Sequence, residues 1–357
     1  MEPVFVVSTV IILGLIILFH EFGHFITAKL SGMPVREFSV GFGRPILFQF
    51  TRGDTRYALR PFPLGGFVSI AGMEPGDDHP NGFDRHPLHR RIVVIAAGSL
   101  MNLLLAALIF VLIGLLFGKT IGISNRIAAV LPGRPAAKVG LQEGDQILAA
   151  NGTFGPRPTL QKLIAARPGK QVELVVRRQG KLLHYRVVPE PRIEKSFEGN
   201  PPRYRERTIG MIGIAFSPLT RPMGVWESVS TGFINTAAVT LGMVEMLKYT
   251  VLGQLPVEVG GPVRIVYEIG EASRIGWESF LRIGAFLSVN VGFINLLPFP
   301  ALDGSRIAIL LVELVRRRPL DKRKEAIVHM VGLAILLALV ALVTVHDINS
   351  VFFKGGQ

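Results

Sequence analysis

Three long apolar segments constrain the fold of this chain more than any other feature. They cover residues 4–19, 92–117 and 327–345, and each is close to the roughly 20 residues that a helix needs to cross a bilayer. A fourth apolar segment, 280–297, is interrupted by polar residues. The hydrophobic fraction of 49% and the mean hydropathy of +0.43 are high for a soluble protein. The sequence therefore predicts an α-helical polytopic membrane protein with four transmembrane helices.

The apolar segments divide the chain into four predicted regions. The two parts of the membrane core are residues 1–121 and 277–357, separated by a water-exposed domain at 122–217 and a membrane-surface segment at 218–276. The four spans are expected at about 3–28, 92–117, 277–298 and 327–346.

Basic residues are concentrated in two of the loops that connect these spans. Lys and Arg cluster between the first and second spans and again between the third and fourth, whereas none precedes Val4. The positive-inside rule places both loops in the cytoplasm, and both chain ends and the 122–217 domain outside. Because topology explains most of the net charge of +13, we expect no nucleic-acid partner.

The end of the first apolar segment carries the run His20-Glu21-Phe22-Gly23-His24. Two histidines four residues apart project from one face of a helix and can share a zinc ion, while the adjacent glutamate can take a proton from water. The chain has no cysteine, so any metal must use His, Asp or Glu. Ionisable residues beside hydrocarbon are costly, which favours a functional metal site over a solvated helix surface.

A catalytic zinc needs a third protein ligand and one open position. Asp303 is the best candidate, because it follows Pro298 and Pro300, which break a helix at membrane depth, where irregular backbone must be buried or line a cavity. The alternative is that Asp303 caps a helix that begins near Ser305. A glutamate on a downstream helix is a further possible third ligand.

The order of the spans bears on this choice. If the first span runs inward and 280–297 is the third crossing, His20, His24 and Asp303 all lie toward the cytoplasmic side of the membrane. A crossing at 231–249 would put Asp303 on the opposite side. We therefore predict that 231–249 is an amphipathic helix on the outer membrane surface.

Residues 127–152, in the first part of the 122–217 domain, resemble a bacterial PDZ domain. This part predicts a strand, a short helix at 135–139, a Gly-Leu-x-x-Gly-Asp turn, a second strand and an Asn151-Gly152 hairpin turn. A helix at 159–166, strands at 172–176 and 182–188, and a final strand at 209–216 are expected to follow, the last after a Pro-rich, charged excursion at 189–207. Such a domain is suited to bind a peptide or a substrate ectodomain, or to filter substrates by size. A purely structural β module is the alternative.

The two membrane motifs together resemble the site-2 protease family of intramembrane metalloproteases. His20-Glu21-x-x-His24 and Asn295-x-x-Pro-x-Pro-x-Leu-Asp303-Gly occur in the family's order, with the PDZ-like domain inserted between them. Within this family, the chain looks like the bacterial regulator-of-sigma-E protease group. It differs from the two-PDZ members in having room for one such domain.

The resemblance implies that His20, His24 and Asp303 bind Zn²⁺ and that Glu21 is the general base. It also implies that Asn295, and with it Asn290, contacts the substrate backbone or the developing oxyanion, although interhelical hydrogen bonding is the alternative for both asparagines. By the same resemblance, the protein is expected in the lipid bilayer of the bacterial inner membrane. Its expected substrates are single-pass transmembrane proteins, such as anti-sigma factors or remnant signal peptides.

Residues 56–72 resemble the family's membrane re-entrant β-hairpin. A transmembrane helix hides its peptide bonds in its own hydrogen bonds, so a substrate must be extended before it is cut, and an exposed strand edge can hold an extended segment. The residues implied in this contact are Gly65, Gly66, Phe67 and Val68. A packed loop beneath the helices is the alternative.

A rival hypothesis from another class is a catalytically inactive, metal-binding membrane scaffold that binds partners through its PDZ-like domain. The presence of Glu21 beside both histidines argues against this hypothesis, because a structural metal site needs no general base.

Overall fold

The structure is a computed structural model that describes residues 3–74, 76–198, 203–255, 260–318, 320 and 322–348. The chain divides into two compact units, and the second is built mainly from Phe117–Met223. The helices are α1 (Pro3–Leu30), α2 (Leu88–Phe117), α3 (Pro135–Lys138), α4 (Arg157–Ala165), α5 (Val225–Val251), α6 (Pro262–Ile275), α7 (Trp277–Leu296), α8 (Asp303–Arg316) and α9 (Lys322–Ile348).

Four of the described helices are long and apolar enough to cross a membrane, which confirms the predicted number of spans. The spans are Val4–Leu30, Leu88–Phe117, Trp277–Leu296 and Glu325–Val345. An α-helix satisfies its own backbone hydrogen bonds and can therefore cross a bilayer without exposing polar backbone to lipid. The helix α5 has the length of a span but is too polar to be one of the four.

Small residues let the membrane helices approach one another closely. A methyl group placed on Gly23 of α1 would lie 2.3 Å from the Ala97 carbonyl oxygen of α2, and one on Gly292 of α7 would lie 2.9 Å from the Ser99 carbonyl oxygen. Close backbone approach through small residues is the usual way in which helices pack in lipid. The helix α2 therefore lies in direct contact with both α1 and α7.

The first unit also contains a four-stranded sheet, and its strand order corrects the hairpin prediction. The strands are β1 (Val35–Phe42), β2 (Phe48–Arg52), β3 (Thr55–Leu59) and β4 (Phe62–Ile70). Their order is β2-β3-β1-β4, so β1 separates β3 from β4. Residues 56–72 therefore do not form a hairpin, because β3 runs parallel to β1 whereas β4 runs antiparallel to it on the other side.

Buried polar contacts fix the position of β3 beside β1. Glu37 of β1 is buried and accepts hydrogen bonds from Arg56 and from Arg60, the latter at 2.7 Å. Thr55 donates to the Val35 carbonyl at 2.7 Å. These contacts are made by charged and hydroxyl side chains of the 55–60 region, and they stabilise the crossover that leaves β4 at the edge of the sheet.

The first turns of α5 run antiparallel to the last turns of α2. A methyl group on Gly114 of α2 would lie 3.1 Å from Ser228 Oγ, and one on Gly232 would lie 2.8 Å from the Ala107 carbonyl oxygen. The start of α5 thus packs along a span. The prediction that 231–249 lies on the outer membrane surface stays a prediction.

The second unit contains a six-stranded sheet and a separate two-stranded ribbon. The strands are β5 (Lys119–Val130), β6 (Gln146–Ala150), β7 (Thr153–Phe154), β8 (Val172–Arg178), β9 (Lys181–Val187), β10 (Glu190–Glu198), β11 (Arg203–Met211) and β12 (Ile214–Arg221). The sheet order is β12-β5-β6-β8-β9, with β7 beside β6. Its core contains Ile127, Ile147, Leu160, Leu174 and Val176.

Most of the elements predicted for this unit are confirmed, including both helices and the tight turn. Asn151 and Gly152 have φ angles of 48° and 73°, as a two-residue hairpin turn between β6 and β7 requires. The single strand predicted at 209–216 is wrong. The chain turns at Gly213, which has a φ angle of 77°, and β11 and β12 belong to different sheets.

The excursion at 189–207 also differs from the prediction. It is largely regular, because β10 pairs antiparallel with β11 from Glu190–Met211 to Glu198–Arg203. Charged residues occupy many positions of both strands, which is typical of a ribbon with solvent on both faces. Periodicity alone did not reveal these strands, because neither face is apolar.

Candidate metal centre

Two imidazoles lie together in the C-terminal half of α1. His20 and His24 are 8% and 7% exposed, and their ring centroids are 4.8 Å apart with the planes nearly perpendicular. The spacing of four residues places both rings on one face of the helix, as the sequence predicts. Their Nε2 atoms are 3.2 Å apart, so both nitrogens point to the same place.

A carboxylate from the far end of the chain meets these two nitrogens. Asp303 Oδ2 lies 3.0 Å from His20 Nε2 and 3.2 Å from His24 Nε2. Three ligands of a tetrahedral zinc ion, each about 2.0–2.1 Å from the metal, are about 3.3 Å from one another. The three donor atoms therefore already form one face of such a tetrahedron. The fourth corner of the tetrahedron is left for water or substrate.

The turn between α7 and α8 places the Asp303 carboxylate beside His20 and His24. Asp303 is the first residue of α8, and the preceding residue, Leu302, makes no side-chain cap. The carboxylate contacts both histidines, so the geometry favours a ligand role for Asp303 over the helix-capping alternative. A methyl group on Gly304 would lie 2.2 Å from the Leu297 carbonyl oxygen, which explains why the next position has no side chain.

The helix α9 holds this turn from the other side. Ala301 has a φ angle of 76°, and its N–H donates to His329 Nδ1 at 3.2 Å. Pro300 lies against Gly332, where a methyl group would be 2.1 Å from Pro300 Cβ. His329 therefore supports the loop that precedes Asp303.

Glu21 is held by the edge strand of the sheet. The Val68 N–H donates to Glu21 Oε2 at 3.0 Å. The carboxylate is also near enough to His20, His24 and Asp303 to interact electrostatically with them. Glu21 therefore lies between the three candidate ligands and β4, where a water molecule and an extended peptide would both be within reach.

Of the residues predicted to bind substrate, only some lie at this centre. Val68 belongs to it through its backbone, whereas the Phe67 ring stacks on Phe42. Asn290 and Asn295 lie half-buried on α7, and neither side chain makes a hydrogen bond with another described residue. Gly65 and Gly66 lie in β4 before Phe67.

Three residues of α2 contact the histidines and were missed by sequence reasoning. His24 Nδ1 lies 2.8 Å from the Val94 carbonyl oxygen, and Asn102 Nδ2 lies 3.3 Å from His20 Nδ1. A methyl group on Gly98 would lie 2.4 Å from His24 Nε2. An asparagine in the middle of an apolar span was the available signal, since polar residues there are rare without a function.

Comparisons with known proteins are consistent with this geometry. Residues 8–339 match the model of peptidase family M50. The chain is 31% identical to the zinc metalloprotease RasP of Geobacillus kaustophilus and 30% identical to that of Bacillus licheniformis, with 97% of this chain covered in both and 98% and 99% of the relatives. It is 29% identical to the regulator of sigma-W protease RasP of Bacillus subtilis, covering 97% of this chain and 99% of that protein.

Proposed function

Because this chain belongs to peptidase family M50, we propose that His20, His24 and Asp303 bind the zinc ion of an intramembrane protease and that Glu21 is its general base. The protein is an intramembrane zinc metalloprotease of the site-2 type, as the family and the names of its relatives indicate. The observation that carries the residue assignment is the convergence of two Nε2 atoms and one carboxylate oxygen within 3.2 Å of one another.

The donor set fits zinc. Two imidazoles and one carboxylate, with a fourth position free, are the ligands of a catalytic zinc site. When bound, zinc supplies a Lewis acid that polarises the scissile carbonyl and lowers the pKa of water. The Glu21 carboxylate takes the proton from the attacking water and returns it to the departing amine.

The edge of the sheet is suited to hold the substrate in an extended form. β4 is the outermost strand beside the metal centre, and its Val68 N–H points away from β1 toward Glu21. A substrate segment that adds to β4 through the backbone of Gly65, Gly66, Phe67 and Val68 would bring its peptide bonds next to the zinc ligands. On this proposal β4 enters the membrane from the sheet, although residues 56–72 do not form a hairpin.

The substrates are membrane proteins, and we propose single-pass proteins with cytoplasmic or extracytoplasmic domains small enough to reach the site. The regulator of sigma-W protease among the relatives supports anti-sigma factors as one such class. The second unit, on this proposal, is a PDZ-like domain outside the cell that contacts substrate ectodomains. We place the protein in the inner membrane, and the distribution of Lys and Arg supports an orientation with both chain ends outside.

Replacement of Glu21 by Gln tests the catalytic assignment. Gln keeps the shape and an acceptor for the Val68 N–H but cannot take a proton, so cleavage of a tagged single-pass substrate in proteoliposomes should fall by about 10²–10⁴-fold. Zinc content should remain, because Glu21 is not one of the three ligands. The matched control is Glu271→Gln, a partly exposed carboxylate on α6 that pairs with Arg274. Undiminished cleavage by the Glu21 variant would overturn the proposed role.

A further inference from the structure

We propose that Asn102 is a positioning residue of the metal centre, whose side-chain carbonyl accepts the His20 Nδ1 proton and so directs the His20 Nε2 lone pair at the zinc ion. The inference rests on the proposed function, because it assumes that His20 Nε2 is a ligand. It adds a side chain of α2 to the three proposed ligands, which belong to α1 and α8.

The first observation is an unsatisfied atom beside the metal centre. Asn102 is fully buried, and its Oδ1 has no hydrogen-bond partner among the described residues. Its Nδ2 is 3.3 Å from His20 Nδ1. An unpaired carbonyl in a membrane interior is costly, and here it lies on the same amide as a nitrogen that touches an imidazole.

The protonation state of a metal-bound histidine shows which atom of the Asn102 amide should face His20 Nδ1. A neutral imidazole that binds metal through Nε2 carries its proton on Nδ1, so Nδ1 must donate and its partner must accept. The amide nitrogen of Asn102 cannot accept. A half-turn of the amide about Cβ–Cγ exchanges the two atoms and presents Oδ1 to the His20 Nδ1–H, which pairs the orphaned atom and fixes the tautomer.

The other proposed histidine ligand, His24, makes the same kind of hydrogen bond through its Nδ1. His24 Nδ1 lies 2.8 Å from the Val94 carbonyl oxygen, which can only accept. His24 Nδ1 therefore carries a proton, and the His24 Nε2 lone pair is free for the metal. Val94 and Asn102 are eight residues apart on one helix, so they lie on the same face, about two turns from each other.

The part of α2 between these two acceptors is shaped for the pair of rings. Gly98 lies midway, and a methyl group there would be 2.4 Å from His24 Nε2 and 2.8 Å from His20 Cε1. One face of α2 thus presents an acceptor, a gap and a second potential acceptor at intervals of one helical turn. This pattern matches two imidazoles four residues apart on the facing helix.

Asn102 is itself held in place from the third helix. Ser288 Oγ donates to the Asn102 backbone carbonyl oxygen at 2.7 Å, and a methyl group on Gly292 would lie 3.2 Å from Asn102 Cβ. A residue whose backbone is hydrogen-bonded and whose side chain is packed can fix the orientation of His20 at little entropic cost.

Zinc affinity, measured by competition with a chelator in the purified full-length protein, tests this inference. Removal of a hydrogen-bond partner from a metal-bound histidine weakens metal binding by about 10–100-fold. We expect that loss for Asn102→Leu, which keeps the approximate volume, and retention of affinity for Asn102→Asp, which still accepts from His20 Nδ1. The matched control is Thr9→Val, which removes a buried hydroxyl of α1 that bonds to Phe5.

Two results would overturn the proposal. Wild-type zinc affinity in Asn102→Leu would show that no acceptor is needed, and an equal loss in the Leu and Asp variants would show that the amide acts by packing alone. If Asn102→Leu does not fold, as judged by its apo-state thermal unfolding, Asn102→Ala replaces it in the same comparison with Asp. Failure of the proposed function is distinguishable, because His20→Ala would then leave zinc affinity unchanged.

Discussion

Asp303 Oδ2 lies 3.0 Å from His20 Nε2, although 283 positions of sequence separate the two residues. The contact joins the C-terminal half of the first span to the turn after the third. Because the two residues lie at the same depth, the chain between them must cross the membrane an even number of times. With four spans, the second and third provide these two crossings.

Replacement of Asp303 by Ala should remove one of three ligands and lower zinc affinity by at least about 10-fold, with loss of substrate cleavage. Zinc content by mass spectrometry of the purified protein and chelator competition give the measurement. The exposed Asp54, in the turn between β2 and β3, supplies the control Asp54→Ala. Full zinc affinity in Asp303→Ala would point instead to a glutamate as the third ligand.

Gly98→Ala should disrupt the metal centre through a single methyl group. That group would lie within 2.8 Å of both imidazoles, so either the rings or α2 must move. We expect zinc affinity and cleavage to fall together. Gly242→Ala is the matched control in a helix, since a methyl group there has no heavy atom within 4 Å and alanine favours helix. Equal zinc affinity of the two variants would contradict the described packing of α2 on α1.

His329→Leu should lower cleavage without removing a zinc ligand. The substitution leaves the Ala301 N–H without its acceptor two residues before Asp303, so the carboxylate is held less firmly. His329→Asn should restore much of the activity, because its side-chain oxygen can take the place of Nδ1. The ratio of the two cleavage rates at equal expression is the measurement, and equal rates would exclude a role for this hydrogen bond.

The second unit should lose stability in acid through Asp145. This carboxylate is buried and accepts from Arg178 Nε and Nη2, both at 2.7 Å. Burial raises the pKa of Asp145, but the Arg178 hydrogen bonds outweigh this effect and hold the pKa below its ordinary value of 3.8. The stabilisation is therefore complete above about pH 4 and is lost as the pH falls through the lowered pKa.

Hydrogen exchange of β6 and β8 in the intact protein measures this effect. In Asp145→Asn, protection at neutral pH should fall by about 1.5–3 kcal/mol, the usual contribution of hydrogen bonds to a charged group. Protection in the variant should also depend less on pH below 4 than in the wild type. A wild-type pH profile in the variant would mean that another group controls the acid response.

The features that the sequence predicted correctly are those whose pattern has a physical meaning of its own. Apolar length predicts spans, and the interval between His20 and His24 predicts a shared face, whereas the ligand role of Asp303 stays a prediction. Asn151-Gly152 predicts its hairpin turn because both positions need positive φ.

The failures concern contacts that depend on partners far away in sequence. No local feature of 56–72 indicates that β1 inserts between β3 and β4, because strand order is decided by pairing across the sheet. The ribbon of β10 and β11 lacks an apolar face and so carries no periodic signal. Asn102 was visible as a polar residue in a span, but its neighbour His20 could be identified only from the packing of α2 on α1.

The distance in sequence between His20 and Asp303 also determines when the protein becomes active. At a synthesis rate of about 5–20 residues per second, roughly 15–60 seconds pass between the translation of the first proposed ligand and that of the last. During this interval the nascent chain holds two histidines without the carboxylate. On the proposed ligand assignment, a ribosome-bound precursor lacks the third ligand, and we expect proteolysis to begin only after Asp303 has been translated.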